Sequence, residues 1–268
     1  MQDEPKVQQN DFDEDIDDEL ESEEIEELSV VEKIMGVFIS PVSTFRQIAK
    51  KPDFWTPLIV LSLIGIATTF LSMPIMLQGS DLALSEQMGQ IAGMPGEEQS
   101  MAMIQNVMRI TMYISAVLGP PINFTLQWLI GCGIIFFIGL FMGLDTDYKR
   151  LLGVVPWSFF MMTVGTIINS IMHIGAEVTS ASQMRDPAFL KPFSIAPYIP
   201  ENLPFWMKAV GAMIDPFSIW TAIAIVFAIE AANKCKRDQA IVITIIFIIL
   251  AVAIQAGTAQ LGVIFQPK

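Results

Sequence analysis

Histidine and cysteine are almost missing from this chain of 268 residues, which holds one His and two Cys. Cys132 sits in an apolar run and Cys235 in a short basic loop, so no disulfide framework is expected. His173 has no Ser or Cys nucleophile at a recognisable spacing, and HExxH, CxxC and phosphate-cradling glycine motifs do not occur. The expectation is a protein that is not an enzyme, with no catalytic set, no metal and no cofactor. Charge is scarce as well: 16% of residues are charged and 53% hydrophobic, a balance that favours membrane spans over a soluble core. The N-terminus lacks a basic region followed by an apolar core, so a cleavable signal peptide is not expected. No internal repeat is visible.

The net charge of −13 is confined to one place. Residues 1–32 hold fifteen of the 28 acidic residues and only Lys6 among the bases, leaving thirteen acids and fourteen bases for the rest of the chain. An acidic block of this kind, poor in apolar residues, cannot bury enough surface to offset its ordering entropy. Residues 1–28 are therefore expected to be a disordered tail, either solvated or bound to a basic cytoplasmic partner. Nucleic acid is not an expected partner of an acidic tail on a near-neutral body.

Beyond the tail the chain is largely apolar. Ser29 or Glu32 opens an expected short helix through Ile39, which Pro41 ends. The next turns place Phe45 and Ile48 on one side and Arg46 and Lys50 near the other, the pattern of a helix lying in the membrane interface. Five runs are long and apolar enough to span a bilayer: about 55–77, 122–142, 151–174, 216–232 and 240–265. Pro57 lies harmlessly in the first turn of span one, and Pro120-Pro121 is expected to separate the short run Ile110–Leu118 from span two. Asp215-Pro216 reads as an N-cap with proline at the first helical position of span four. Between spans one and two lie Met88, Met94, Met101, Met103 and Met108. Thioethers suit Cu(I), but the irregular spacing and the lack of a nearby His or Cys point to helix packing instead.

The expected fold class is thus all-α: a polytopic membrane protein with a five-helix bundle at residues 29–268, an interfacial helix before it and the acidic tail in front. With the N-terminus inside, ten of the fifteen bases fall on cytoplasmic segments, and the short loops after spans two and four are basic. The N-terminus is therefore expected to be cytoplasmic and the C-terminus on the opposite side.

One polar constellation stands out. Asn123 and Gln127 lie a turn apart near the start of span two, and Asn169, His173 and Glu177 occupy i, i+4 and i+8 near the exit of span three. Intramembrane ionisable groups are costly and usually purposeful, so this face is a candidate proton or ion path in a small transporter or channel subunit. The alternative is a helix end climbing into the interface, with Glu177 already in water.

Three stretches resemble a known family. MGVFISPVSTFRQIAKKPDFWTPLIVL (35–61) carries an apolar stretch, Ser40-Pro41, Phe45 with Arg46, Lys51-Pro52, then Trp55 and Pro57. GLDTDYKRLLGVVPWSFF (143–160) begins at Gly143 and includes Pro156, and IDPFSIWTAIAIVFAIEAANKCKRDQA (214–240) includes Asp215, Pro216 and Trp220. Together they resemble the Yip-one domain family of Ypt/Rab-interacting-type membrane proteins, most of all its bacterial branch. The resemblance implies five transmembrane helices, a cytoplasmic N-terminus, residence in a bacterial inner membrane, and scaffolding or trafficking-type contacts with other membrane proteins or with further copies of the chain.

Overall fold

A computed structural model describes residues 28–88 and 97–264, in which every regular element is helical. The acidic tail expected to be disordered lies, but for Leu28, outside the described residues.

Helix α1 (Val30–Ile39) begins with a reciprocal capping box. The Glu32 N–H donates to the Ser29 hydroxyl at 3.3 Å and the Ser29 N–H to the Glu32 carboxylate at 2.8 Å. Pro41, which has no N–H to offer, ends α1 and occupies the first turn of α2 (Pro41–Lys50). The two helices divide the amphipathic role expected of one. On α1, Val31, Met35 and Ile39 form an exposed apolar stripe at 67%, 52% and 72% accessibility. On α2, Phe45 and Ile48 are buried in the protein core at 0% and 1%, so its apolar face meets protein and not lipid.

Asp53 caps α3 (Trp55–Met88) by accepting from the N–H groups of Trp55 and Thr56. Pro74 sits inside α3 and does not end it, carrying the helix past the expected boundary at residue 77. A larger correction concerns α4 (Glu97–Phe141), which runs unbroken through Pro120 and Pro121, so span two does not begin at Ile122. Proline is tolerated in lipid-embedded helices where a neighbour occupies the bend and nearby groups satisfy the freed carbonyls. Here Pro120 and Phe124 lie against Gly65 of α3, whose missing side chain makes room. The helix closes with a Schellman turn: Gly143, at φ +73°, donates to Leu140 and the Leu144 N–H reaches back to Gly139.

Span three is three pieces where one was expected. Asp147 caps α5 (Tyr148–Val154), a 3-10 segment continues over Val155–Phe159 at Pro156, and α6 (Phe160–Met172) resumes. Short helices α7 (Pro187–Leu190) and α8 (Phe205–Gly211) punctuate the long connection to α9 (Pro216–Asn233), and α10 (Arg237–Ile264) ends the described chain. Among the described residues, five segments are long and apolar enough to cross a membrane: Trp55–Glu86, Met101–Phe141, Tyr148–Met172, Pro216–Asn233 and Arg237–Leu261.

The long helices α3 and α4 run antiparallel, as the pairs Gly65 with Pro120, Phe70 with Tyr113 and Asp81 with Arg109 demand. Helix α9 packs against α2, α5, α6 and α10. Its buried Ala224, Ala228 and Ala232, spaced one turn apart, permit that close approach. Only 17% of the most apolar stretch of α10 is buried in the protein, and its exposed isoleucines require an apolar solvent.

Candidate functional site

The first two family-like stretches meet the tail end of the third at the N-terminal end of the bundle. The Arg150 guanidinium donates twice to the Ala49 carbonyl, at 3.0 and 3.2 Å, and so satisfies an orphan acceptor at the end of α2. The glycine at 153 lets α5 lie directly on the backbone of Pro52 and Asp53. The Trp157 indole N–H reaches the Asp53 carbonyl at 3.4 Å, and Lys33 sits over the same ring at 5.5 Å, within cation–π range. On α9, Glu230 accepts from Arg237 at 2.9 Å and pairs with Arg46 at 3.6 Å. Each pair is exposed on its basic side, so their value lies in register more than in stability.

Between the two short loops at this end lies a recess of about 720 Å³, lined by Asp145, Asp147, Arg150, Asn233, Lys234 and Lys236 among others. Asn233 is buried there, and neither its amide nitrogen nor its carbonyl oxygen has a partner. A buried orphan amide is costly, and two orphan atoms on one side chain call for a reason. Lys234, next in sequence, holds a left-handed backbone at φ 48°, a conformation that costs a side-chain-bearing residue about 1–2 kcal/mol. Cys235 is half-buried, and that burial pushes its thiol above the ordinary value. On α1 burial is not at issue: Glu32 is exposed, and the N–H and hydroxyl of Ser29 hold its carboxyl below the ordinary value.

The remaining sequence candidates distribute unevenly. Phe45 and Pro57 are core residues, Pro41 and Pro52 shape the α1–α2 and α2–α3 turns, and Trp55 is exposed at the start of α3. Asp215, Pro216 and Trp220 lie at the opposite end, roughly 27 Å along α9 by its helical rise. There the Asp215 carboxylate accepts from the N–H groups of Phe217 and Ser218 and from the Ser218 hydroxyl.

Two members of the polar face, Gln127 and Asn169, line adjoining cavities, while Asn123, His173 and Glu177 line neither. Asn123 and Gln127 are exposed on α4. Asn169 borders a small polar pocket, with its Oδ1 buried and unpartnered. His173 caps α6 at its C-terminus, and its Nε2–H donates to the Phe189 carbonyl at 3.1 Å, tying α7 to the end of the span. Glu177 lies past the helix, which Gly175 at φ +73° has already turned away, so the i+8 position is not on the same face.

Sequence patterns alone do not single out Gly153, Trp157, Lys191 and Asn233, which acquire their importance from contacts with elements distant in the chain or from a lack of partners. A pattern describing the Yip1 domain matches residues 35–258 of this chain, which include all three stretches. Searches among curated proteins and among solved structures return no match.

Proposed function

The chain belongs to the Yip1 domain family, and from that membership we propose that it works without catalysis, as an integral membrane organiser that docks partners at the N-terminal end of its bundle. The observation that carries this reading is the recess between the two short loops, where Asn233 is buried with both polar atoms unsatisfied. A carboxamide in that state offers one donor and one acceptor side by side, the complement of a peptide bond. Lys234 and Lys236 on one wall and Asp145 on the other offer charge of both signs. The motif stretches support the recess by fixing α2, α5 and α9 against each other. On this reading the N-terminal end faces the cytoplasm of a bacterial inner membrane, and the acidic tail enters from the same side to recruit a basic partner.

The test is crosslinking in native membranes, comparing the full chain, a chain without residues 1–28, and Asn233→Leu. The expected result is loss of tail-dependent adducts in the second and of a distinct recess-dependent set in the third. Identical partner sets in all three would sink the proposal. Cysteine labelling that reaches Cys235 only from outside the cell would invert the orientation.

A further inference from the structure

At the opposite end, the bundle holds a second cavity of different character. A cleft of about 340 Å³ opens between α4, α6, α9 and α10, walled chiefly by Trp128, Cys132, Phe159, Ile225 and Phe247. Its size falls in the ~300–1,000 Å³ range of small-molecule sites. The two hydroxyls on its wall are already used: Thr221 donates to the Phe217 carbonyl at 2.8 Å and Ser218 to Asp215 at 2.6 Å. The cleft surface is therefore mostly apolar, except for the Gln127 carboxamide at its wall and for Trp128, fully buried, whose indole N–H has no acceptor.

At one end the cleft meets a small pocket of about 60 Å³, and Met162 and Lys191 border both. This pocket is polar: Thr166, Asn169, Ser194 and Asp215 line it along with the Lys191 ammonium. Lys191 stands 4.0 Å from Asp215, too far for a hydrogen bond. Asp215 is meanwhile committed to the cap of α9. The pocket thus presents a cation with donors to spare beside Asn169 Oδ1, a buried acceptor with no donor. Apolar cleft and polar pocket meet at Met162 and Lys191, where the spanning segments that wall the cleft give way to the connection that carries Lys191, Ser194 and Asp215.

We infer that this composite cavity binds one phospholipid, with an acyl chain in the cleft, the phosphate on Lys191 and a headgroup donor, hydroxyl or ammonium, on Asn169. A phosphate supplies the hydrogen-bonding acceptor that Asp215, paired with the ammonium only at 4.0 Å, does not. A glycerol or ethanolamine head supplies the proton that Asn169 lacks, whereas a choline head has none to give. The bilayer delivers such molecules at high local concentration, and the apolar walls exclude water-borne ligands.

The full chain in vesicles containing phosphatidylglycerol with a diazirine at the end of one acyl chain tests this, with adducts mapped to peptides by mass spectrometry. Adducts should concentrate on Phe159, Ile225 and Phe247 over lipid-facing Ile249 and Ile254. Ala222→Phe, which fills the cleft from α9, should abolish the cleft adducts and leave the lipid-facing ones, which also report that the bundle is intact. Gly131→Ile fills it from α4 and serves if Ala222→Phe fails to fold. Lys191→Gln should lower cleft labelling about tenfold, the loss of one charge-assisted bond. It should not affect a diazirine fatty alcohol, which has no phosphate. Cleft adducts no denser than the lipid-facing ones, or unchanged by both filling variants, would overturn the site. Labelling by the fatty alcohol but not by phosphatidylglycerol would overturn the phosphate assignment, and equal labelling by phosphatidylcholine would overturn the role of Asn169.

Discussion

Replacing Gly153 by alanine puts the packing argument at risk with a single methyl group. An added Cβ would stand 2.8 Å from the Pro52 carbonyl carbon and 3.0 Å from the Asp53 nitrogen, besides clashing with the Pro52 side chain. Backbone cannot swing aside as a side chain can, so α5 must lift off the α2–α3 turn. Overpacking of this kind costs about 1–3 kcal/mol, and lifting also breaks the Trp157–Asp53 hydrogen bond, a further ~0.5–1.5 kcal/mol. Alanine returns about 1 kcal/mol through its better helix propensity, leaving a net loss of about 1–3 kcal/mol. On the scale of soluble domains of this size, each kcal/mol lowers the melting temperature by roughly 2–4 °C. The assay is thermal unfolding of the detergent-solubilised protein, monitored by tryptophan fluorescence. Gly131→Ala is the control, because its methyl group would meet the Phe247 ring at an ordinary 3.7 Å, and it should melt at or slightly above the parent. Pro52→Gly, which removes the Cβ nearest the added methyl group, should rescue Gly153→Ala only in part, since the backbone obstruction remains. If Gly153→Ala melts with Gly131→Ala, the seating of α5 on Pro52–Asp53 is wrong.

Local chemistry sets two further outcomes. Lys234→Gly relieves the left-handed backbone at a position where glycine is unstrained, at some entropic cost in the unfolded chain, so unfolding should shift upward by the equivalent of about 0.5 kcal/mol; a downward shift in the same melting assay would refute the strain. Glu32 has a carboxyl held below its ordinary value by Ser29, so the capping box stabilises α1 above the unfolded-state value and loses that contribution as pH falls through the lower folded value. Hydrogen exchange at the Ser29 and Glu32 amides, corrected for intrinsic rates, should therefore accelerate on acidification in the parent, while Glu32→Gln shows no such pH step.

Local signals in the sequence translated well where one residue and its neighbours decide the outcome. Ser29 with Glu32, Asp215 before Pro216 and Gly143 after Phe141 each mark a helix end through bonds closed within a few residues. The apolar runs likewise marked the membrane-crossing segments, because a spanning helix must satisfy its backbone internally whatever packs beside it. Proline was legible only in part. Pro41 ends one helix and starts another, yet Pro74, Pro120 and Pro121 sit inside helices, where Gly65 of the neighbouring α3 makes room for Pro120. The polar candidates on α4 and α6 shared a helical spacing but not a helix, because Gly175 ends α6 before Glu177. The cleft and the recess could not be read at all: both are gaps between elements distant in sequence, marked by partners that Trp128, Asn169 and Asn233 lack. Periodicity reports what a face contains and is silent on what leaves it unfilled.

The antiparallel pair α3–α4 has a further consequence for how the protein stands. Helices of 34 and 45 residues measure ~51 and ~68 Å by their helical rise, against a hydrocarbon core of ~30 Å. Even the shorter one outruns the bilayer by roughly 20 Å, and the Asp81–Arg109 ion pair lies toward the end remote from α1 and α2. The molecule therefore carries a post on that side, held upright by helix-to-helix contact and not by a flexible linker. The connection between α6 and α9 buttresses it from the side, because the Val178 and Ala181 N–H groups donate to Gln78 and Glu86 on α3.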